Sequence, residues 1–242
     1  MKLIDMHCDT LMKLLDQPEK SLAELDAEVN LPKLKQAGSM AQFFACFTNL
    51  MDYPQPPERA YDEAYQTVLR MIERMKEEIQ KAPQELALAT SAQEILDNDA
   101  AGKISAFLTV EEGGILNGRM ERLHDLYDQG IRLITLTWNY ENCLGYPNSA
   151  DPQVMGKGLK SFGVEVVEEM NRLGMLVDVS HLSDGGFWDV VRHSKKPFVA
   201  THSCARDLCG HTRNLNKEML KAVGEKGGAV GVNFYGGFLS ED

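Results

Sequence analysis

Short apolar runs alternate with helical patterns along the whole chain. Seven runs have the length of strands: residues 3–6, 41–47, 104–110, 132–137, 175–180, 198–202 and 229–234. Several are rich in β-branched or aromatic residues, and most are nearly continuous apolar stretches, as expected of strands covered on both faces. Between them the period changes to that of a helix. Over residues 60–81, Val68, Met71, Ile72, Met75 and Ile79 share one face, while Glu73 to Glu77 and Lys76 to Lys81 keep the other wet. Over residues 158–173, Phe162, Val166, Val167, Met170 and Leu173 repeat the spacing, and Gly174 suits a left-handed C-terminal cap. Ser183 is placed to cap a helix carrying Phe187, Val190 and Val191 inward, and Asn216 one carrying Met219, Leu220 and Val223. The proline-rich stretch from Pro54 to Pro57 reads as a loop leading into a helix.

Strand–helix alternation predicts an α/β protein with a parallel sheet, either wound open or closed into a barrel. The pattern supplies seven strands where a closed (β/α) barrel has eight, and the seventh lies just before the last residues. No repeat, low-complexity tract or linker marks a second domain, so residues 1–242 are expected to form one.

Composition narrows the partners. The formal net charge is −11 with Lys and Arg unclustered, which argues against nucleic acid and anionic membranes. The 43% hydrophobic and 25% charged fractions are those of an ordinary globular protein. Five cysteines (Cys8, Cys46, Cys143, Cys204 and Cys209) show no disulfide framework and no Cys-x-x-Cys, so reduced thiols are expected. The N-terminus meets charge too early for a signal peptide, and no apolar run approaches the roughly 20 residues of a membrane span. A cytoplasmic protein is the expectation.

Polar residues cluster where the strands end. His7 and Asp9 follow the first run, Glu112 the third, His181 the fifth, and His202 ends the sixth. Four strands thus deliver a metal-type ligand at their carboxyl ends, the face on which barrel enzymes build their sites. His-x-Asp puts an imidazole and a carboxylate on one side of an extended chain. Two more imidazoles and a glutamate complete a nitrogen and oxygen donor set without thiolate, which suits zinc. Each residue also has a plainer reading: Glu112, or Glu111 beside it, as a turn marker before two glycines; His181 as a residue bonding the backbone near Ser183; His202 as a buried, satisfied imidazole. Cys8 alternates away from His7 and Asp9 and reads as core. His124 and His193 sit in helical patterns and read as surface residues; His211 lies in a loop with a non-ligand role. Arg206 and Arg213 lie in a polar loop, where each could hold a carboxylate through paired hydrogen bonds or simply an acidic neighbour.

These segments resemble the membrane dipeptidase (renal dipeptidase) family, peptidases of the amidohydrolase-type barrel. The matching stretches are Ile4-Asp5-Met6-His7-Cys8-Asp9-Thr10, Asn30-Leu31-Pro32-Lys33-Leu34, Ala41-Gln42-Phe43-Phe44, Val110-Glu111-Glu112-Gly113-Gly114, Leu136-Thr137-Trp138-Asn139, Val177-Asp178-Val179-Ser180-His181, Thr201-His202-Ser203 and Arg213-Asn214. The resemblance implies a (β/α)8 TIM-type barrel lacking its last strand–helix unit. It implies two zinc ions, one on His7 and Asp9 and one on His181 and His202, bridged by Glu112, since the family glutamate directly precedes the paired glycines. Glu111 is the competing choice. It implies hydrolysis of dipeptides, some with a D-residue at the carboxyl end, by a metal-bridged hydroxide. Arg213 matches the arginine that holds the substrate carboxylate, and Tyr235 matches a segment lining the pocket. Family members are often dimeric, which makes a homodimer an expectation.

Two departures stand out. Many members carry a histidine after the fourth strand that stabilises the oxyanion; here the position is Trp138, with Asn139 as a substitute donor. The family's proton-shuttling aspartate follows an eighth strand that this sequence does not reach. Another amidohydrolase-type reaction (a deaminase or cyclic-amide hydrolase) and a non-catalytic metal-binding homologue are the alternatives. The first is weakened because no lysine ends a candidate strand, and the second is kept open by Trp138.

Overall fold

A computed structural model describes residues 2–53 and 57–240, so Pro54 to Pro56 of the expected loop lie outside the described residues. The chain divides into two compact units, Met1–Val110 with Asp128–Arg132, and Glu111–Tyr127 with Leu133–Asp242.

The first unit runs β1 (Leu3–Asp5), α1 (Thr10–Asp16), α2 (Leu31–Ala37), β2 (Ser39–Phe47), α3 (Pro57–Lys81), β3 (Leu86–Leu88), α4 (Ala92–Ala100) and β4 (Ile104–Glu111), whose last residue opens the second unit. β1 pairs in parallel with β2, placing Ile4 opposite Ala41 and Asp5 opposite Gln42. The ladder continues past the regular strand, since Cys8 N donates to Phe43 O at 3.1 Å and Ala45 N to Cys8 O at 2.9 Å. β3 pairs in parallel with β4, Leu86 opposite Ile104. This strand is missing from the sequence reading because three residues carry no resolvable period. The core joins Leu11 and Leu14 of α1, Phe44 of β2 and Ile72 and Met75 of α3, all buried.

One feature of α3 departs from its expected wet face. Arg74 and Glu78 are buried there, with Nη2 and Oε1 3.1 Å apart. Glu78 also accepts from Leu22 N, and Arg74 donates to the carbonyls of Pro18 and Lys20. The pair therefore clamps the segment after α1 onto α3; a charge that finds backbone partners can be buried where an isolated one could not.

The second unit runs α5 (Met120–Asp128), β5 (Leu133–Thr135), α6 (Pro152–Met155), α7 (Ser161–Leu173), β6 (Leu176–Asp178), α8 (Asp184–His193), β7 (Val199–Ala200), α9 (Lys217–Glu225) and β8 (Ala229–Val230). Strands β5 to β8 pair in parallel in chain order, with Thr135 opposite Asp178, Asp178 opposite Val199, and Ala200 opposite Val230. The regular strands are shorter than their apolar runs, yet bonds such as Val179 N to Val199 O (2.9 Å) and Gly231 N to Ala200 O (2.8 Å) extend the ladder. Val166, Val167 and Met170 of α7 and Phe187 of α8 are buried against this sheet. Gly174 closes α7 in the left-handed region at φ 78°. Ser183 caps α8 by accepting from Gly186 N, and Asn216 caps α9 by accepting from Met219 N. Parallel pairing with alternating helices in both units is the α/β architecture expected of a TIM-type barrel lacking its last unit.

No disulfide joins the five cysteines, and among the described residues no helix is long and apolar enough to cross a membrane. The cap on α9 is a direct test of how firmly the segment before it is set. Asn216→Ala should lower stability by about 1 kcal/mol and Asn216→Gly by only a few tenths, read from urea unfolding midpoints.

Candidate active site

In the first unit, His7 and Asp9 lie two residues apart on chain that leaves β1. The His7 Nε2 stands 3.3 Å from Asp9 Oδ1, with the imidazole 13% exposed and the carboxylate 51% exposed. His7 N donates to Asp5 Oδ1 at 3.1 Å, which fixes the backbone at the strand end. Cys8 points the other way and is buried, and burial pushes its thiol up to about 12.

In the second unit, three donor atoms converge. Glu111 Oε1 lies 3.1 Å from His181 Nε2 and 3.4 Å from His202 Nε2, and the two imidazole nitrogens are 3.0 Å apart. Glu111 is the last residue of β4, His181 follows β6, and His202 follows β7, so parallel strands bring all three to one edge. Each imidazole is oriented from its far side. His181 Nδ1 meets Asn139 Oδ1 at 2.8 Å, and His202 Nδ1 meets Thr201 Oγ1 at 2.7 Å. His181 also has φ 67°, a left-handed conformation uncommon for a residue with a Cβ. Its carbonyl is held by Asn148, through the backbone N–H at 2.7 Å and the side-chain amide at 3.2 Å. Strain of this kind concentrates at functional sites.

Glu112 is placed differently from the expectation. Its backbone is extended (φ −143°, ψ 119°), so it faces opposite to Glu111. Its carboxylate is fully buried and accepts from Trp138 N at 2.9 Å, from Asn142 Nδ2 and from Gly114 N. Burial pushes the Glu112 carboxyl up to about 7 against the pull of these three donors. Gly113 beside it has no room for a side chain, because a Cβ would sit 2.8 Å from Leu136 O. Glu112 is thus held by the loop after β5, while Glu111 lies beside the histidine pair.

Arg213 is 4% exposed. Its Nη1 donates to Ser203 Oγ at 2.8 Å, while Nε and Nη2 have no hydrogen-bond partner among the described residues. Burial lowers its pKa to about 10, opposed by the charges of Glu111 and Asp178. Arg206, the other arginine of this loop, is engaged. It makes a two-pronged bond to Asp184, both distances 2.8 Å, and donates to the carbonyls of Asn214 and Thr212. Tyr235 is exposed, with its ring 4.9 Å from that of Phe238, which in turn lies 5.9 Å from the Arg213 guanidinium. Trp138 is half-buried with its ring 6.3 Å from that of His181. Asn139 is taken up by His181. His124 bonds Glu169, His193 lies 3.6 Å from Glu168, and His211 accepts from Arg213 N at 3.1 Å.

Sequence reasoning missed Asp178. It is fully buried at the end of β6, and it gathers Ser180 N, Thr201 N, Thr135 Oγ1 and Thr201 Oγ1 within 3.0 Å. Burial raises its pKa, but the nearby His202 and these hydrogen bonds outweigh that and hold it below the ordinary carboxylate range. A charged residue ending an otherwise apolar strand was the available signal.

A family model described as membrane dipeptidase (peptidase family M19) matches residues 1–242. The chain belongs to the membrane dipeptidase family. Among curated relatives, an uncharacterized protein in the pqqA 5'region of Klebsiella pneumoniae is 36% identical over 175 residues, 69% of this chain and 63% of that protein. An uncharacterized dipeptidase of Schizosaccharomyces pombe is 31% identical over 255 residues, 98% of this chain and 60% of its own. This chain thus spans under two thirds of the length of both. A solved metallo peptidase from Rhodobacter sphaeroides, liganded with a phosphinate mimic of the dipeptide L-Ala-D-Ala, superposes with a TM-score of 0.87 at 27% identity, covering 100% of this chain and 76% of that one.

In this membrane dipeptidase relative the two adjacent glutamates should separate cleanly by experiment. Glu112→Ala strips the acceptor from three buried donors and should cost about 3 kcal/mol or more in chemical unfolding. Glu111→Gln should leave stability within about 1 kcal/mol of wild type, because the amide keeps the shape of the side chain and an accepting oxygen. The reverse ranking would make Glu111 the structural member of the pair.

Proposed function

We propose that the protein hydrolyses dipeptides in a metal-dependent reaction, with zinc as the resident metal. The observation that carries the substrate side is Arg213, a buried guanidinium with two donor nitrogens unclaimed among the described residues. A buried cation without a partner is costly, and a planar carboxylate is the ligand that fits a guanidinium fork. The free carboxyl end of a short peptide supplies it. The neighbour that binds a mimic of L-Ala-D-Ala supports a dipeptide substrate with a D-residue at the carboxyl end.

The donor set supports the metal. Two imidazoles and a carboxylate, each within 3.4 Å of the others, crowd electron pairs that a cation would share. Nitrogen and oxygen ligands of this kind suit zinc. The family resemblance assigns one zinc ion to His7 and Asp9 and the other to His181 and His202. We give Glu111, rather than Glu112, the carboxylate role beside His181 and His202. When bound, zinc supplies Lewis acidity and a water ionised near neutral pH. The chain's own residues orient and enclose: Asn139 turns His181, Arg213 anchors the carboxylate, and Trp138 forms a wall beside the histidines.

The test is a substrate panel. The dipeptide L-Ala-D-Ala should be cleaved and its C-terminal amide much less so. Arg213→Met should raise KM about 10- to 100-fold, the loss of a charged hydrogen-bonded pair, and erase the preference for the free acid. Turnover of cyclic amides or nucleobases, with none of dipeptides, would sink the proposal. Removal of metal by a chelator should abolish hydrolysis, and added zinc should restore it.

A further inference from the structure

Thr201 links the buried Asp178 to His202. The Thr201 Oγ1 is 2.6 Å from Asp178 Oδ2 and 2.7 Å from His202 Nδ1, and a hydroxyl has one proton to give. Asp178 Oδ1 faces two backbone N–H groups, of Ser180 at 3.0 Å and Thr201 at 2.9 Å. Its Oδ2 faces two hydroxyls, those of Thr135 at 2.7 Å and Thr201. A carboxylate set among donors accepts from all of them, so the Thr201 proton goes to Asp178. The oxygen of Thr201 is then left to accept, and His202 Nδ1 must carry a proton. Only one neutral tautomer meets that demand, and it leaves the electron pair on Nε2, the nitrogen aimed at Glu111 and His181.

We infer that Asp178, acting through Thr201, is a positioning residue that fixes the tautomer and ring orientation of His202, so that Nε2 is held ready for a metal ion. Ser180 completes the fixture. Its hydroxyl accepts from His202 N at 3.2 Å and lies 3.3 Å from Thr201 Oγ1, tying the backbone of the histidine to the same cluster. Asp178, Ser180, Thr135 and Thr201 are at or near zero exposure, so water is not on hand to replace one that is lost. Direct carboxylate support of a metal-binding histidine is a general device worth 10- to 100-fold in affinity; here one hydroxyl is interposed.

The inference rests on reading His202 as a metal ligand, and the experiments separate the two. Long-range proton–nitrogen correlation spectra of the metal-free protein at about pH 8, where a histidine is ordinarily neutral, report the tautomer directly. His202 should show a protonated Nδ1 and a bare Nε2; a protonated Nε2 overturns the inference without any variant having to fold. Asp178→Asn is the sharpest variant. Its oxygen must stay on the two backbone N–H groups, so its amide nitrogen faces the hydroxyls. Thr201 then accepts from Asn and donates to Nδ1, which moves the proton of His202 to Nε2. That variant should show the reversed tautomer and bind zinc 10- to 100-fold more weakly in competition with a chromophoric chelator. Thr201→Ser, which keeps the hydroxyl, should stay within threefold of wild type. Unchanged tautomer and affinity in Asp178→Asn would refute the relay. Undiminished zinc binding in His202→Ala would instead refute the ligand reading, leaving the tautomer result to stand.

Discussion

The second unit depends on keeping three electron-rich atoms closer together than they would choose to be. Glu111 Oε1, His181 Nε2 and His202 Nε2 approach within 3.0–3.4 Å, and none of the three can move away. Glu111 is fixed by a strand whose every residue is buried. His181 is held by a backbone conformation and by Asn139. His202 is held by Thr201 and, beyond it, by Asp178. The convergence is thus imposed from outside, by hydrogen bonds on the far sides of the rings and by parallel strands that end together. Preorganisation of this sort is what lets a site bind a cation without rearranging.

Much of this was legible in the amino-acid sequence. The helical faces, the caps at Ser183 and Asn216 and the left-handed Gly174 follow from local chemistry, and the molecule places them as read. The histidines at the strand ends were visible because parallel strands share a polarity. Three things were not. β3 is too short to show a period. The burial of Arg74 and Glu78 depends on a segment more than fifty residues away in sequence, which no helical wheel contains. The different surroundings of Glu111 and Glu112 follow from strand alternation, which a motif taken as a string does not display. In β4 the polar Ser105, Thr109 and Glu111 share one parity and Ala106, Leu108 and Val110 the other, which Glu112 continues just past the strand. The alternation that correctly turned Cys8 away from His7 would have separated the two glutamates as well.

The polar groups beneath the site divide into the satisfied and the waiting. Glu112, Asp178 and Arg206 are each surrounded by partners and act as fixtures for loops and ligands. Among the described residues the Arg213 side chain has one hydrogen-bond partner, Ser203. Burial that is offset by several donors around a saturated carboxylate leaves this arginine short of hydrogen bonds.

His181 carries a consequence of its own. Its left-handed backbone is comfortable for glycine and tolerable for asparagine, yet the chain keeps an imidazole there and spends two bonds from Asn148 to hold it. Folding alone would favour a smaller residue. A lineage released from the need for chemistry should therefore show its first decay at this position, with histidine giving way to glycine or asparagine while the surrounding sheet persists unchanged.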